Sequence, residues 1–188
     1  PSINRDQLTA LENMIRDNKQ ERERFSNQML VLLHDRVQDI INLYLEGDAA
    51  ELERRRYYNL KSSGYDVYPP MLSVALKLAG PENLLRHILQ VNMYYLTGLA
   101  NRIRIPMVKD PATLLATAMT NLQKAYALEK DAPYILNELG ILYRMKKQYR
   151  EALDLYKKAA ELSSEWALPW ANMAAVYAET GQYEAGFA

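Results

Sequence analysis

The 188-residue chain carries 23 basic and 23 acidic side chains, no cysteine, seven glycines and eight prolines. Its length suits one domain, or one domain with an extension, and a hydrophobic content of 49% is enough for a packed core, which excludes wholesale disorder. The missing cysteine excludes a disulfide framework, a thiolate metal site and a cysteine nucleophile, and the neutral charge leaves no electrostatic footprint for nucleic acid.

The chain opens on Pro1 without a methionine and is expected to be an excised or processed piece, so the lack of a leader carries no information on compartment. The longest weakly polar run, Val67 to Gly80, is broken by Pro69, Pro70, Ser73 and Lys77. It is shorter than the roughly 20 apolar residues a membrane span needs, so no span is expected.

Helical periodicity dominates and period-2 alternation is missing. Leu8, Leu11 and Ile15 form a first apolar stripe, Arg16 to Arg24 is almost wholly polar, and the stripe resumes at Phe25, Met29, Leu32, Leu33, Val37, Ile40, Ile41, Tyr44 and Leu45. No Gly or Pro lies between Ser2 and Gly47, so one helix of about 40 residues is the simplest reading, with a break near Asn18–Gln20 as the alternative. Gly47 is a C-terminal cap and Asp48 a new N-cap, opening a second helix to about Leu60. After the loop 61–64, a short helix is expected from Met71 to Ala79, another from Pro81 to Arg104, a two-proline connection at 105–111, and a helix from Pro111 to Glu129.

The C-terminal part matches itself at an offset of 34 residues: Leu136 with Trp170, Leu139 with Met173, Gly140 with Ala174, Tyr143 with Tyr177, Tyr149 with Tyr183. Leu136-x-x-Leu139-Gly140-x-x-Tyr143 followed by Ala152-x-x-x-Tyr156-x-x-Ala159 resembles the helix–turn–helix pattern of the tetratricopeptide repeat family. Leu136 stands for the usual Trp, Tyr156 for Phe, Ser164 for the usual proline and Gly186 for alanine. Small residues at 140, 152 and 159 would let helices approach, and large ones at 136, 143, 149 and 156 would fill the space between them. The resemblance implies an all-α fold: antiparallel helix pairs stacked as a right-handed superhelix, preceded by a long N-terminal helix or hairpin. Residues 1–64 form the N-terminal part and 65–188 the array, with a degenerate repeat about 91–132, a clear one at 133–166 and a partial one at 167–188. In the degenerate repeat Gly98 would play the part of Gly140, and Ala118, Leu122 and Ala125 those of Ala152, Tyr156 and Ala159. The stop at Ala188, just inside a repeat's second helix, suggests further repeats in a parent protein.

The chain shows no signature of catalysis or of a cofactor or metal site. His34 and His87 lack ligand partners at metal spacing and read as packed or surface side chains. Leu33-His34-Asp35-Arg36 is similar to the His-Asp pair of a histidine-kinase dimerisation helix, but no ATP-binding glycine motif accompanies it. Arg54-Arg55-Arg56-Tyr57-Tyr58 mixes base-stacking and phosphate-binding residue types, yet Glu51 and Glu53 lie beside it, and three successive arginines leave a helix on different faces. A solvated or ion-paired face is the better reading. The long first helix lacks sustained heptads, so packing on the array is favoured over a coiled coil.

The resemblance further implies a non-catalytic interaction scaffold that binds a protein or peptide partner in a groove lined by the first helix of each pair. The lining residues would be Tyr134, Asn137, Ile141, Arg144, Leu168, Asn172 and Ala175, with Asn92, Tyr95 and Arg102 from the degenerate repeat. Arg102 and Arg144 would favour a carboxylate-bearing peptide. The Lys/Asn clamp of chaperone-binding members is not matched, because Asn137 stands at the expected Lys, Ile141 at the expected Asn, and only Asn172 fits. The alternative is a regulatory, sensory or dimerisation segment of a larger signalling protein; the oligomeric state stays open. Of the fourteen tyrosines, Tyr143, Tyr149, Tyr156, Tyr177 and Tyr183 are expected to serve packing.

Overall fold

A computed structural model describes residues 19–56 and 64–182. Their regular elements are all helical: α1 (Lys19–Glu46), α2 (Ala49–Arg56), α3 (Tyr68–Leu78), α4 (Arg86–Arg104), α5 (Ala112–Leu128), α6 (Pro133–Met145), α7 (Tyr149–Leu162) and α8 (Ala167–Glu179), with short 3-10 turns at Tyr65–Val67 and Ile105–Met107. The Leu8–Ile15 stripe, Tyr57 to Ser63, and Tyr183 with Gly186 lie outside the described residues.

The α1–α2 corner forms as its residues require. Gly47 takes φ 73°, and the Asp48 carboxylate accepts the Glu51 amide at 2.9 Å, capping α2. Two helix starts differ from expectation. α3 begins at Tyr68 rather than Met71, because Pro69 and Pro70 fit the first turn, where amides need no partner within the helix. α4 begins at Arg86 rather than Pro81, because the Asn83 side chain accepts the Leu85 amide at 2.9 Å and holds 81–85 as turns. The Arg86 guanidinium then reaches back to the Leu76 and Ala79 carbonyls at 2.7 and 2.8 Å, closing the end of α3.

From α3 onward each helix packs against the next, and α1 lies across α3, α4 and α6. The buried stripe of α1 is Leu30, Leu33, Val37, Ile40, Ile41 and Tyr44, spaced by three and four residues. It joins one core that extends through α6 to Trp166. Leu32, expected on this stripe, is 59% exposed: it sits about 100° around the helix from Leu33. A smaller core joins α6, α7 and α8 around Ala152, Tyr156 and Val176.

Close approach between helices depends on two glycines. A Cβ at Gly140 would overlap the Tyr156 ring, and one at Gly98 would sit 2.5 Å from Leu122 Cγ. The small-against-large contact of α6 on α7 thus recurs between α4 and α5. Ala118, Ala125, Ala152 and Ala159 are all fully buried beside these contacts. Gly140→Val and Gly98→Val are expected to cost about 2 kcal/mol or more by overpacking. Gly80→Ala, with open space around it, should stay within about 0.5 kcal/mol in urea denaturation.

Candidate functional site

The ten residues expected to line the groove separate into two groups. Asn92, Tyr95, Tyr134 and Asn137 are buried, and the Arg102 side chain is 12% exposed. Ile141, Arg144, Leu168, Asn172 and Ala175 are half-buried. What separates them is the N-terminal hairpin: α1 and α2 press into the face made by α4 and α6 and meet the first group there.

The contact is polar and dense. Tyr44 of α1 accepts a hydrogen bond from Asn137 Nδ2 at 2.7 Å, and Asn137 Oδ1 accepts from Asn172 Nδ2 at 2.9 Å. The Tyr44 ring meets Trp166 edge to face at 4.9 Å. Arg55 of α2 is buried with its guanidinium 3.4 Å from the Tyr44 ring centre. It donates to Glu51 Oε1 at 2.7 Å, Tyr95 Oη at 2.7 Å and Glu138 Oε1 at 3.2 Å. From the other side Arg102 Nε donates to Glu138 Oε2 at 2.8 Å, and its Nη1 to the Arg55 carbonyl at 3.1 Å. Tyr65 donates to Glu51 at 2.6 Å, and Tyr134 packs edge to face on Tyr95 at 4.7 Å. Two acids and two bases alternate in the core, so the cluster is neutral as a whole.

Burial by itself would raise the Glu138 carboxyl, but Arg102 and Arg55 outweigh it and hold its pKa below the ordinary 4.5. Burial would lower the Arg55 guanidinium; Tyr95, Tyr44 and the two carboxylates overcome that and raise it. Burial raises Tyr44 and Tyr95, and pushes Tyr134 up to about 12. All stay in their neutral-pH forms.

Arg54-Arg55-Arg56 does send its side chains to different faces. Arg54 pairs with Glu51 at 3.1 Å while half-exposed, Arg55 is buried and Arg56 exposed. The sequence reading missed Tyr44, Glu51, Arg55, Tyr65 and Glu138 as partners of the groove. One signal was available: Glu138 lies between the core positions Leu136 and Leu139, where a carboxylate needs a buried cation. Nothing local says that the cation comes from residue 55.

The second group is partly accessible. Arg144 pairs with Glu179 at 2.7 Å beside an open cleft lined by Ile141, Met145, Lys147 and Tyr149. Leu168 packs against the main core, and Trp170 is 54% exposed on α8. Among the described residues no group of three or more His, Asp or Glu is placed to hold a metal ion, and no helix is long and apolar enough to cross a membrane.

Residues 133–166, which are α6, α7 and their turns, match the tetratricopeptide repeat family. The chain is also similar to the anaphase-promoting complex subunit cut9 of Schizosaccharomyces pombe, with 35% identity over 34% of this chain and 11% of that protein. The chain therefore spans only a small part of that relative's length.

The lowered Glu138 carboxyl sets a pH dependence. The unfolded chain takes up this proton near pH 4.5, the folded chain only at lower pH, so the stabilisation is present above 4.5 and is lost as pH falls through the folded value. The melting temperature of wild type should fall more steeply between about pH 5 and about pH 3 than that of Glu138→Gln. Parallel curves in a calorimetric titration would contradict the ion pairing.

Proposed function

We propose that the chain is a non-catalytic scaffold that holds a peptide or partner helix on the concave face of its helix array. Three features support this: the tetratricopeptide repeat at 133–166, the recurrence of its small-against-large packing at Gly98 and Leu122, and the likeness to a subunit of a multiprotein complex. The observation that carries it most is that this face already holds helices. Asn137, Tyr95 and Glu138 take their partners from α1 and α2 as a groove takes a ligand, through side-chain hydrogen bonds and stacked rings.

Two zones of the face then serve different ends. The zone over α4 and the first half of α6 holds the chain's own hairpin. The zone running over Ile141, Arg144 and Asn172 stays accessible for another protein. Arg144 makes an exposed pair with Glu179, whose contribution to stability is small, so it can exchange Glu179 for a partner's carboxylate at little cost. On this reading residues 91–132 are a divergent repeat joined to the clear one, and the N-terminal hairpin is a built-in neighbour of the array.

The direct test is recovery of partners by immobilised chain from a lysate, quantified by mass spectrometry. Arg144→Ala should reduce specific recovery by about tenfold while leaving the melting temperature within a few degrees, since its side chain is partly exposed and paired only at the surface. Undiminished recovery would reject the accessible zone as the binding surface.

A further inference from the structure

The buried cluster defines a ligand chemistry beyond that reading, though it rests on the same face being a binding face. Arg55 sits in a socket made by other elements: the Tyr44 ring from α1, Tyr65 from its 3-10 turn, the Tyr95 hydroxyl from α4 and the Glu138 carboxylate from α6. Only Glu51, one helical turn before Arg55, comes from α2 itself. An aromatic face, a hydroxyl acceptor and a carboxylate around one planar cation fit a guanidinium better than an ammonium, which has no flat face and no fork. Arg55 Nε and Nη1 find acceptors, while Nη2 is buried without a hydrogen-bond partner among the described residues, so the guanidinium is not fully satisfied in its present seat.

The occupant is weakly attached by every other measure. Among the described residues of α2, AAELERRR, the fully buried side chains are Glu51 and Arg55, and Leu52 is half-buried. These residues bury little apolar surface, so their seat depends on the polar contacts. α1 is different: its six buried apolar side chains belong to the main core. Gly47 at φ 73° joins the two, so α2 can swing away on that residue while α1 stays. Its departure removes one acid and one base and leaves Glu138 on Arg102, so no net charge is stranded.

We propose that this socket is an arginine-reading site for a partner helix, and that α2 fills it in cis. The partner is a helical segment carrying Glu-x-x-x-Arg, the acid one turn before the arginine, which displaces α2 and repeats its contacts. Because α2 competes, the apparent affinity of the partner is reduced by the fraction of time the socket is open.

The probe is a fluorescein-labelled, end-capped peptide of residues 48–56, followed by fluorescence anisotropy on the full chain. Wild type, with its socket filled, should bind weakly. Arg55→Ala should bind at least about tenfold more tightly, and the gain should vanish when the peptide carries Arg55→Ala or when the chain also carries Glu138→Gln. Arg55→Lys, which keeps a cation beside Glu138, replaces Arg55→Ala if the latter does not fold, with the same expected gain. Failure of the folded variant to exceed wild type, or equal binding of the two peptides, overturns the socket. Failure of the accessible zone alone would appear in the Arg144→Ala recovery, which does not involve the socket.

Discussion

A carboxylate in the core is costly unless it is paired, and Glu138 is fully buried in the middle of α6. Its two oxygens face Arg102 from α4 and Arg55 from α2, residues 36 and 83 positions away. That requirement ties three parts of the chain together. α4 must lie beside α6, α2 must fold back over both, and the corner at Gly47 and Asp48 must turn α2 toward them. The aromatic rings follow from the same demand. Tyr44 and Tyr65 each offer a flat face to a guanidinium, and they and Tyr95 each bring a hydroxyl to the hydrogen-bond network, which phenylalanine cannot do. The excess of tyrosine over phenylalanine, fourteen to two, therefore has a cause beyond repeat packing.

On the proposed reading the same interaction decides how much of the binding face a partner can reach. The face made by α4 and α6 is then the first stretch of a groove, and the chain's own helices fill it. α1 is there permanently, because its burial is apolar and extensive. The described part of α2 is there on polar terms, through Arg55 and Glu51. The two helices thus contribute unequally: one completes the core, and on the proposed reading the other occupies a site.

Much of the fold was legible in the residues. The 34-residue offset placed α6, α7 and α8, and the small residues at 98 and 140 marked the close approaches, because glycine facing a large side chain is a local pattern repeated along the chain. The α1–α2 corner was legible for the same reason, as Gly47 and Asp48 act on their own neighbours. The groove was legible only as a face. Tyr95, Arg102 and Asn137 were expected on it, and in the structure they meet α1 and α2 through partners 40 to 93 residues away; periodicity within a helix says nothing about which distant helix covers a face. Arg55 shows this limit most clearly: beside Glu51 it read as an ordinary ion pair on a helix surface, and its burial depends wholly on tertiary contact.

If the Glu138 carboxylate holds the hairpin on the array, Arg55 and Glu138 must be energetically coupled. A double-mutant cycle on Arg55→Ala and Glu138→Gln, read from urea denaturation of the full chain, measures this directly. Coupling of about 2 kcal/mol or more is predicted for a buried charged pair of this geometry. Additivity within about 0.5 kcal/mol would contradict it and would leave the hairpin attached by the apolar stripe of α1 alone.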